Sequence, residues 1–387
     1  MKKFITLIIL VLLTFINPSW SLTQIAGIFG TAKQTIDKVA NVGTSLLSPE
    51  KIFDSSKQLI IGLPSEVLTS AIHTICSKAM SFDMIQSKYL PDVDQMQFQL
   101  RTECKRESVP LLRADEMWKL DDFDPSKKFV LLASGWLSTI NDTDGPIDVI
   151  GKAFHCRGDV NFVAVDVDHY VKTLYTWAAL NTQVLGDYIA EGLKYLIDFV
   201  PLENIHLIGH SLGAHIMGAA GRRFQQLTNL SIPRITGLDP AKPCFTEGES
   251  LSGLMRGDAD FVDIIHSNNN VLGKGEPVGD VDFYPGGLVP LVPGCLDIIC
   301  AHERSWRYFA ESIYPGNEYN FEAYRCNSLS GVEDGTCRYQ SAFMGYSVAN
   351  NIKGNFFLNV NGKSPYGMYG SVEREATVES CGFCPYF

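Results

Sequence analysis

An α/β architecture, a mostly parallel central sheet flanked by helices, is predicted by three features of this sequence. Phe129 to Ala133 and Phe162 to Val167 are short apolar runs bounded by turn residues, as strands buried on both faces should be. After the second run, Val184, Leu185, Tyr188, Ile189, Leu193, Leu196 and Ile197 recur at helical spacing. A third apolar run, Ile205 to Ile208, then leads into Gly209-His210-Ser211-Leu212-Gly213-Ala214-His215 and a helix-like stretch. A strand that reverses sharply into a helix strains its turn residue, and side chains two positions away on either side would clash. Gly209 and Gly213 remove those clashes and leave the Ser211 hydroxyl above the carboxyl edge of the sheet.

In chain order, Met1-Lys2-Lys3, the apolar run Phe4 to Ile16 and the small-residue boundary Ser19-Trp20-Ser21 have the layout of a secretory signal peptide over residues 1–21. An uncleaved membrane anchor is the alternative, although the run is short for spanning a bilayer. Residues 22–90 mix small, polar and aliphatic residues at loosely helical spacing, as in Val67-Leu68-Thr69-Ser70-Ala71-Ile72, and predict a helical N-terminal extension. It is either a surface-binding or propeptide segment or a set of helices packed on the main domain. Residues 91–387 form that domain, with a first strand at Met96 to Arg101. Beyond Ser211, strands are expected at Arg234 to Leu238, Phe261 to His266 and Val281 to Tyr284, and a helix from Glu303 to about Ile313. Gly- and Tyr-rich segments continue to Phe387, and no low-complexity linker marks a second large domain.

Composition narrows the class. The 387 residues are 45% hydrophobic and 19% charged, enough to bury a large core without repeats or a structural metal. A net charge of −11 argues against nucleic-acid binding and against attraction to anionic membranes by overall charge. Ten cysteines and the sequons at Asn141 and Asn229 fit a secreted, extracellular glycoprotein, because disulfides persist in oxidising compartments.

The order strand, helix, strand, sharp turn, helix is that of an α/β hydrolase, and it gives the serine a chemical meaning. A serine hydroxyl is a poor nucleophile at neutral pH. It needs a neutral imidazole to accept its proton and a carboxylate to orient that imidazole. Asp239 ends the strand candidate Ile235-Thr236-Gly237-Leu238, on the sheet edge that carries Ser211. His302 follows Cys300-Ala301 at the opening of a helix and can reach back from its loop. Each also has an ordinary explanation, Asp239 as a turn or cap residue before Pro240 and His302 as a helix-entry histidine. His210 and His215 lie too close in sequence to Ser211 for the base role and are expected to pack around the turn; His266, at a strand end, is the rival base. An oxyanion hole needs two backbone donors. Leu212 supplies one, and Trp136 in Ala133-Ser134-Gly135-Trp136 the other, because the glycine lets the backbone turn in under the site.

These residues, with the stretches Pro201 to His215, Ile235 to Phe245, Val262 to His266 and Val281 to Pro285, resemble the pancreatic-lipase-like secreted lipases and phospholipases A1, insect members included. The resemblance covers roughly residues 95 to 345. It implies a Ser211, Asp239, His302 triad, with Trp136 and Leu212 at the oxyanion positions, acting on lipid esters. It also implies disulfides between Cys295 and Cys300 and between Cys326 and Cys337. The other six cysteines are left unpaired by sequence, and those of Cys381-Gly382-Phe383-Cys384 are expected to be structural rather than redox or metal-binding.

Departures from the family pattern speak to substrate. Triacylglycerol lipases of this family carry a long lid between two cysteines before the catalytic histidine; here only Leu296-Asp297-Ile298-Ile299 separates Cys295 from Cys300, and the loop from Ser267 to Val281 is short. So short a lid cannot fold over an acyl chain. The site is expected to stay open, a pattern that looks like phospholipase A1, with a triacylglycerol lipase or broad carboxylesterase as the alternative. The family's His-Gly before the oxyanion donor is Ser134-Gly135 here. A C-terminal β-sandwich is expected to be absent, since 85 residues follow His302, and with it the surface for a small protein cofactor. The chemistry requires no metal or organic cofactor. A second class, a yolk-type lipid-binding protein without turnover, would be marked by loss of the nucleophile, and Ser211, Asp239 and His302 all remain.

Overall fold

The computed structural model describes residues 91–370 apart from 137, 173–174, 246–250 and 339. The signal segment, the N-terminal extension and the Cys381 to Cys384 motif lie outside the described residues. Among the described residues eleven strands form one sheet: β1 (Gln97–Arg101), β2 (Arg106–Pro110), β3 (Lys128–Ala133), β4 (Val160–Asp166), β5 (Ile205–His210), β6 (Arg234–Leu238), β7 (Phe261–Ile265), β8 (Val281–Pro285), β9 (Glu322–Cys326), β10 (Ser341–Phe343) and β11 (Gly354–Leu358). Their spatial order is β10-β9-β11-β8-β7-β6-β5-β3-β4-β1-β2. From β4 across to β11 every pairing is parallel, and the outer strands at both edges are antiparallel.

Four long helices among the described residues cover the sheet: α1 (Pro146–Arg157), α2 (Tyr175–Leu193), α3 (Leu212–Thr228) and α4 (Ile298–Ile313). Successive strand residues point to opposite faces, and the core divides accordingly. Leu131, Leu207 and Ile235 pack with Leu185 and Ile189 of α2 and Ile216 of α3. Val130, Leu132 and Ile208 pack on the other face with Phe154 of α1 and Trp306 and Phe309 of α4. Strands β5, β7 and β8 are buried at every position, which explains their largely apolar character; of the polar exceptions, His206, Asp263 and Asp282 are each hydrogen-bonded to a neighbouring side chain.

Three differences from the sequence expectation stand out. Helix α1 was not foreseen; it opens on Pro146, whose missing N–H costs nothing there, and closes on left-handed Gly158. The Gly- and Tyr-rich tail supplies β9, β10 and β11, the last of which pairs in parallel with β8. Helix α4 begins at Ile298 rather than near Glu303, because the Asp297 side chain accepts from the Cys300 amide at 2.8 Å and caps it. His302 therefore sits inside a helix and not in a loop.

Candidate active site

Ser211 stands between β5 and α3 with φ 57° and ψ −122°, a strained conformation for a residue with a side chain. The surroundings hold it there. Its amide donates to Leu238 O of β6 (3.0 Å), and its carbonyl accepts from Ala214 N (3.2 Å) and Ala241 N (3.3 Å). A Cβ on Gly209 would strike the backbone of Gly213 and Ala214, and one on Gly213 the carbonyl of Ala133. Both glycines are thus fixed by close backbone approach, as the turn requires.

Asp239 is the first residue after β6, fully buried, with its amide on Ile265 O at 2.8 Å. Its Oδ1 accepts from the amides of Ser267 (2.7 Å) and Asn268 (3.0 Å), and its Oδ2 accepts from His302 Nδ1 at 2.5 Å. The carboxylate thereby fixes the imidazole as the tautomer with a proton on Nδ1, leaving Nε2 as the basic nitrogen. The His302 backbone is held as well: its carbonyl accepts from Ser305 Oγ (3.1 Å), His210 Nε2 (3.3 Å) and Ser267 Oγ (3.4 Å). The rings of His210 and His302 lie 4.7 Å apart. The structure thus gathers Ser211, Asp239 and His302 at one sheet edge. The contributions of Ser267, Asn268 and Ser305 carried no sequence signal, since two of them act through backbone amides.

The rival His266 is occupied elsewhere. Its Nδ1 donates to Lys274 O (2.7 Å), its Nε2 lies 2.9 Å from Asp282 Oδ1, and its ring stacks on Tyr284. Burial alone would lower its pKa, but the Asp282 carboxylate outweighs burial and raises it. His215 packs on Phe245, with Nε2 donating to Ala241 O (2.7 Å) and Nδ1 accepting from Leu254 N (2.9 Å).

The loop after β3 passes directly beneath the turn. A Cβ on Gly135 would lie 2.5 Å from Ser211 Cβ, 2.8 Å from His210 O and 2.9 Å from Leu212 N. The next residue, Trp136, meets Tyr175 edge-on at 5.3 Å and packs with Phe245, Leu251, Leu272 and Ile298 in an apolar cluster that includes Leu212. Leu212 opens α3, so its amide has no partner within the helix. Cys295 is joined to Cys300, and Cys326 to Cys337; Cys104, Cys156 and Cys244 are also disulfide-bonded. Asn141 and Asn229 are exposed.

Three buried imidazoles make this region acid-sensitive. Burial, reinforced by the neighbouring charge of Arg234 for His206 and His302 for His210, holds both pKa values well below the ordinary range; burial lowers that of His215 to about 3. The unfolded chain would take up protons that the fold refuses, so their stabilisation is complete above about pH 6.5 and is lost as pH falls. For His215 the loss runs at about 1.4 kcal/mol per pH unit from about pH 6.5 towards 3. His266 acts in the opposite sense, as does Asp258, whose carboxyl is raised by burial to about 6, but the three lowered imidazoles outnumber them. Thermal unfolding followed from pH 7 to 5 should show a falling midpoint, and His215→Gln should flatten that slope; a wild-type midpoint independent of pH contradicts the account.

The sequence is also similar to known proteins. The chain is 40% identical over 217 residues to vitellogenin-3 of Drosophila melanogaster, covering 56% of this chain and 52% of that protein. It is 34% identical over 281 residues to lipoprotein lipase of Bos taurus, covering 64% and 57%, and 31% identical over 323 residues to pancreatic triacylglycerol lipase of Cavia porcellus, covering 72% and 66%. The chain thus spans between about half and two thirds of the length of these relatives. Among solved structures, an esterase from Pyrobaculum calidifontis aligns with 14% identity and a TM-score of 0.23, over 50% of this chain and 59% of that one. The protein-family model described as Lipase matches residues 68–366, most of the chain and all of the site described above, and the protein belongs to this pancreatic-lipase-like family.

Proposed function

We propose that the protein is a secreted serine hydrolase of lipid carboxylic esters, with phospholipase A1 activity that releases the sn-1 fatty acid. The observation that carries this is the buried Asp239–His302 pair beside a serine held in the strained turn. Ser211 Oγ attacks the ester carbonyl while His302 Nε2 takes its proton, and Asp239 stabilises the imidazolium without being protonated. The amides of Leu212 and Trp136 hold the developing oxyanion. Collapse expels the glycerol alcohol, which receives the proton from His302, and leaves an acyl ester on Ser211. Water, activated by the same imidazole, then frees the fatty acid. The apolar cluster around Trp136, Phe245 and Leu272 offers the acyl chain a surface beside Leu212. No cofactor takes part. Secretion is supported by the N-terminal segment, the disulfides and the two exposed sequons.

The lid argues for the phospholipid. Of the residues between Cys295 and Cys300, Asp297 caps α4, and Ile298 and Ile299 belong to its first turn. A segment used in this way cannot also close over the site, so a polar head group can remain at the open mouth. Fatty-acid release from phosphatidylcholine and from triacylglycerol should be compared, with Ser211→Ala as blank. Faster release from phosphatidylcholine, with the label leaving the sn-1 position, is the expected result; equal or faster turnover of triacylglycerol would assign the site to a neutral-lipid lipase instead.

The similarity to vitellogenins favours a second reading, lipid binding without turnover. A fluorophosphonate probe separates the two. Covalent labelling of the wild type, abolished in Ser211→Ala, is expected of the hydrolase; an unlabelled wild type would favour the binding protein.

A further inference from the structure

The connection from β8 to α4 crosses the sheet edge that carries Ser211, Asp239 and Asn268, and its outward side chains are apolar. From Gly286 to Leu296 it reads Gly-Gly-Leu-Val-Pro-Leu-Val-Pro-Gly-Cys-Leu, without one charged residue. Val289, Leu291 and Leu296 are 42%, 39% and 95% exposed, and Pro290 and Pro293 are exposed with them. Val292 alone among the aliphatic residues at the tip turns fully inward, beside Cys295 and Ala301.

The segment is tied down while its side chains stay uncovered. Asn268 Nδ2 donates to Pro290 O (2.5 Å), and Asn269 Nδ2 to Gly287 O (3.1 Å) and Val289 O (3.3 Å). Gly286 N donates to Leu358 O of β11 (2.8 Å), and the Cys295–Cys300 disulfide closes the far end. The backbone amide of the same Asn268 holds Asp239 Oδ1. Apolar side chains clustered on a fixed loop, and connected through one residue to the site, mark a contact surface.

We propose that Val289, Pro290, Leu291 and Leu296 form a docking tip that seats the carboxyl edge of the sheet on a zwitterionic phospholipid surface. The inference rests on the lipid-ester reading above and adds to it how the enzyme reaches an aggregated substrate. Two observations select this occupant. The tip lies on the edge from which an ester must approach Ser211, so whatever covers it also faces the site. It carries no cation, and the chain's net charge of −11 opposes an anionic surface, which leaves apolar insertion at the boundary between head groups and acyl chains as the source of binding. The short lid fits this arrangement: a tip that is permanently exposed needs no opening step.

Flotation of the full chain carrying Ser211→Ala with phosphatidylcholine vesicles tests the tip without hydrolysis. The parent is expected to float, and adding Val289→Asp, Leu291→Asp and Leu296→Asp together should weaken binding at least tenfold. Leu296→Ser, a mild change at a side chain that is 95% exposed, should give a smaller loss in the same direction and guards against misfolding of the triple variant. In the Ser211 background the triple variant should still hydrolyse a water-soluble short-chain ester at the wild-type rate. A parent that does not float, a triple variant that floats like the parent, or binding that needs phosphatidylserine and fades with salt would overturn the proposal. So would a tip variant that changes only the oligomeric state. Tip-sensitive flotation of a wild-type chain that hydrolyses no ester would instead defeat the hydrolase reading and leave the docking surface standing.

Discussion

Asp239→Asn should lower kcat on a soluble ester by about 10⁴-fold while leaving the fold intact. The size follows from how the carboxylate is shared. Two backbone amides, Ser267 N and Asn268 N, point at Oδ1, and only an acceptor satisfies them. An asparagine would therefore keep its carbonyl oxygen at that position and turn its amino group towards His302 Nδ1. Two donors cannot face each other, so the imidazole would move its proton to Nε2. The nitrogen that should receive the serine proton would then already carry one. Because the amide replaces the carboxylate atom for atom in a fully buried site, the thermal midpoint should fall only a little. A variant with near-wild-type kcat would remove Asp239 from the mechanism; a large loss of stability accompanying the loss of rate would assign it a structural role.

How much of this was legible in sequence depended on which chemical group performs each task. The turn at Ser211 is written in side chains, because backbone approach at positions 209 and 213 admits only glycine there. Asp239 was legible as the residue after an apolar strand. The choice of base was not, since His266 and His302 both follow apolar stretches and differ only in the partners that the fold delivers: Asp282 and Lys274 O for one, Asp239 for the other. The start of α4 is hidden in the sequence because its cap, Asp297, lies between two disulfide-bonded cysteines, where a loop is the ordinary expectation. Helix α1 carries its own punctuation in Pro146 and Gly158. Strand β10 at the sheet edge and its neighbour β9 are short and half-exposed, and neither the period nor the apolar content of Glu-Ala-Tyr-Arg-Cys distinguishes a strand from a loop. The amides of Ser267 and Asn268 leave no trace at all, because every residue except proline has one.

Gly135→Ala should cost about 10²- to 10³-fold in kcat on a soluble ester, with KM changed far less. The new methyl group would sit 2.5 Å from Ser211 Cβ and within 3 Å of both His210 O and Leu212 N, so it meets the turn itself rather than the end of a flexible side chain. The turn cannot yield. Ser211 is bonded through its amide to Leu238 O and through its carbonyl to Ala214 N and Ala241 N, and Gly213 lies against Ala133 O on the other side. The loop after β3 must therefore withdraw, and it takes the Trp136 amide with it. That amide is the second oxyanion donor of the proposed mechanism. Losing it weakens binding of the tetrahedral intermediate more than binding of the ground-state ester, which is why the effect should fall on kcat. Ser211 and the Asp239–His302 pair are untouched by the change, so a fluorophosphonate should still label the variant, more slowly. If kcat stays at the wild-type level while the thermal midpoint drops, the loop serves packing alone and the second donor must come from another residue.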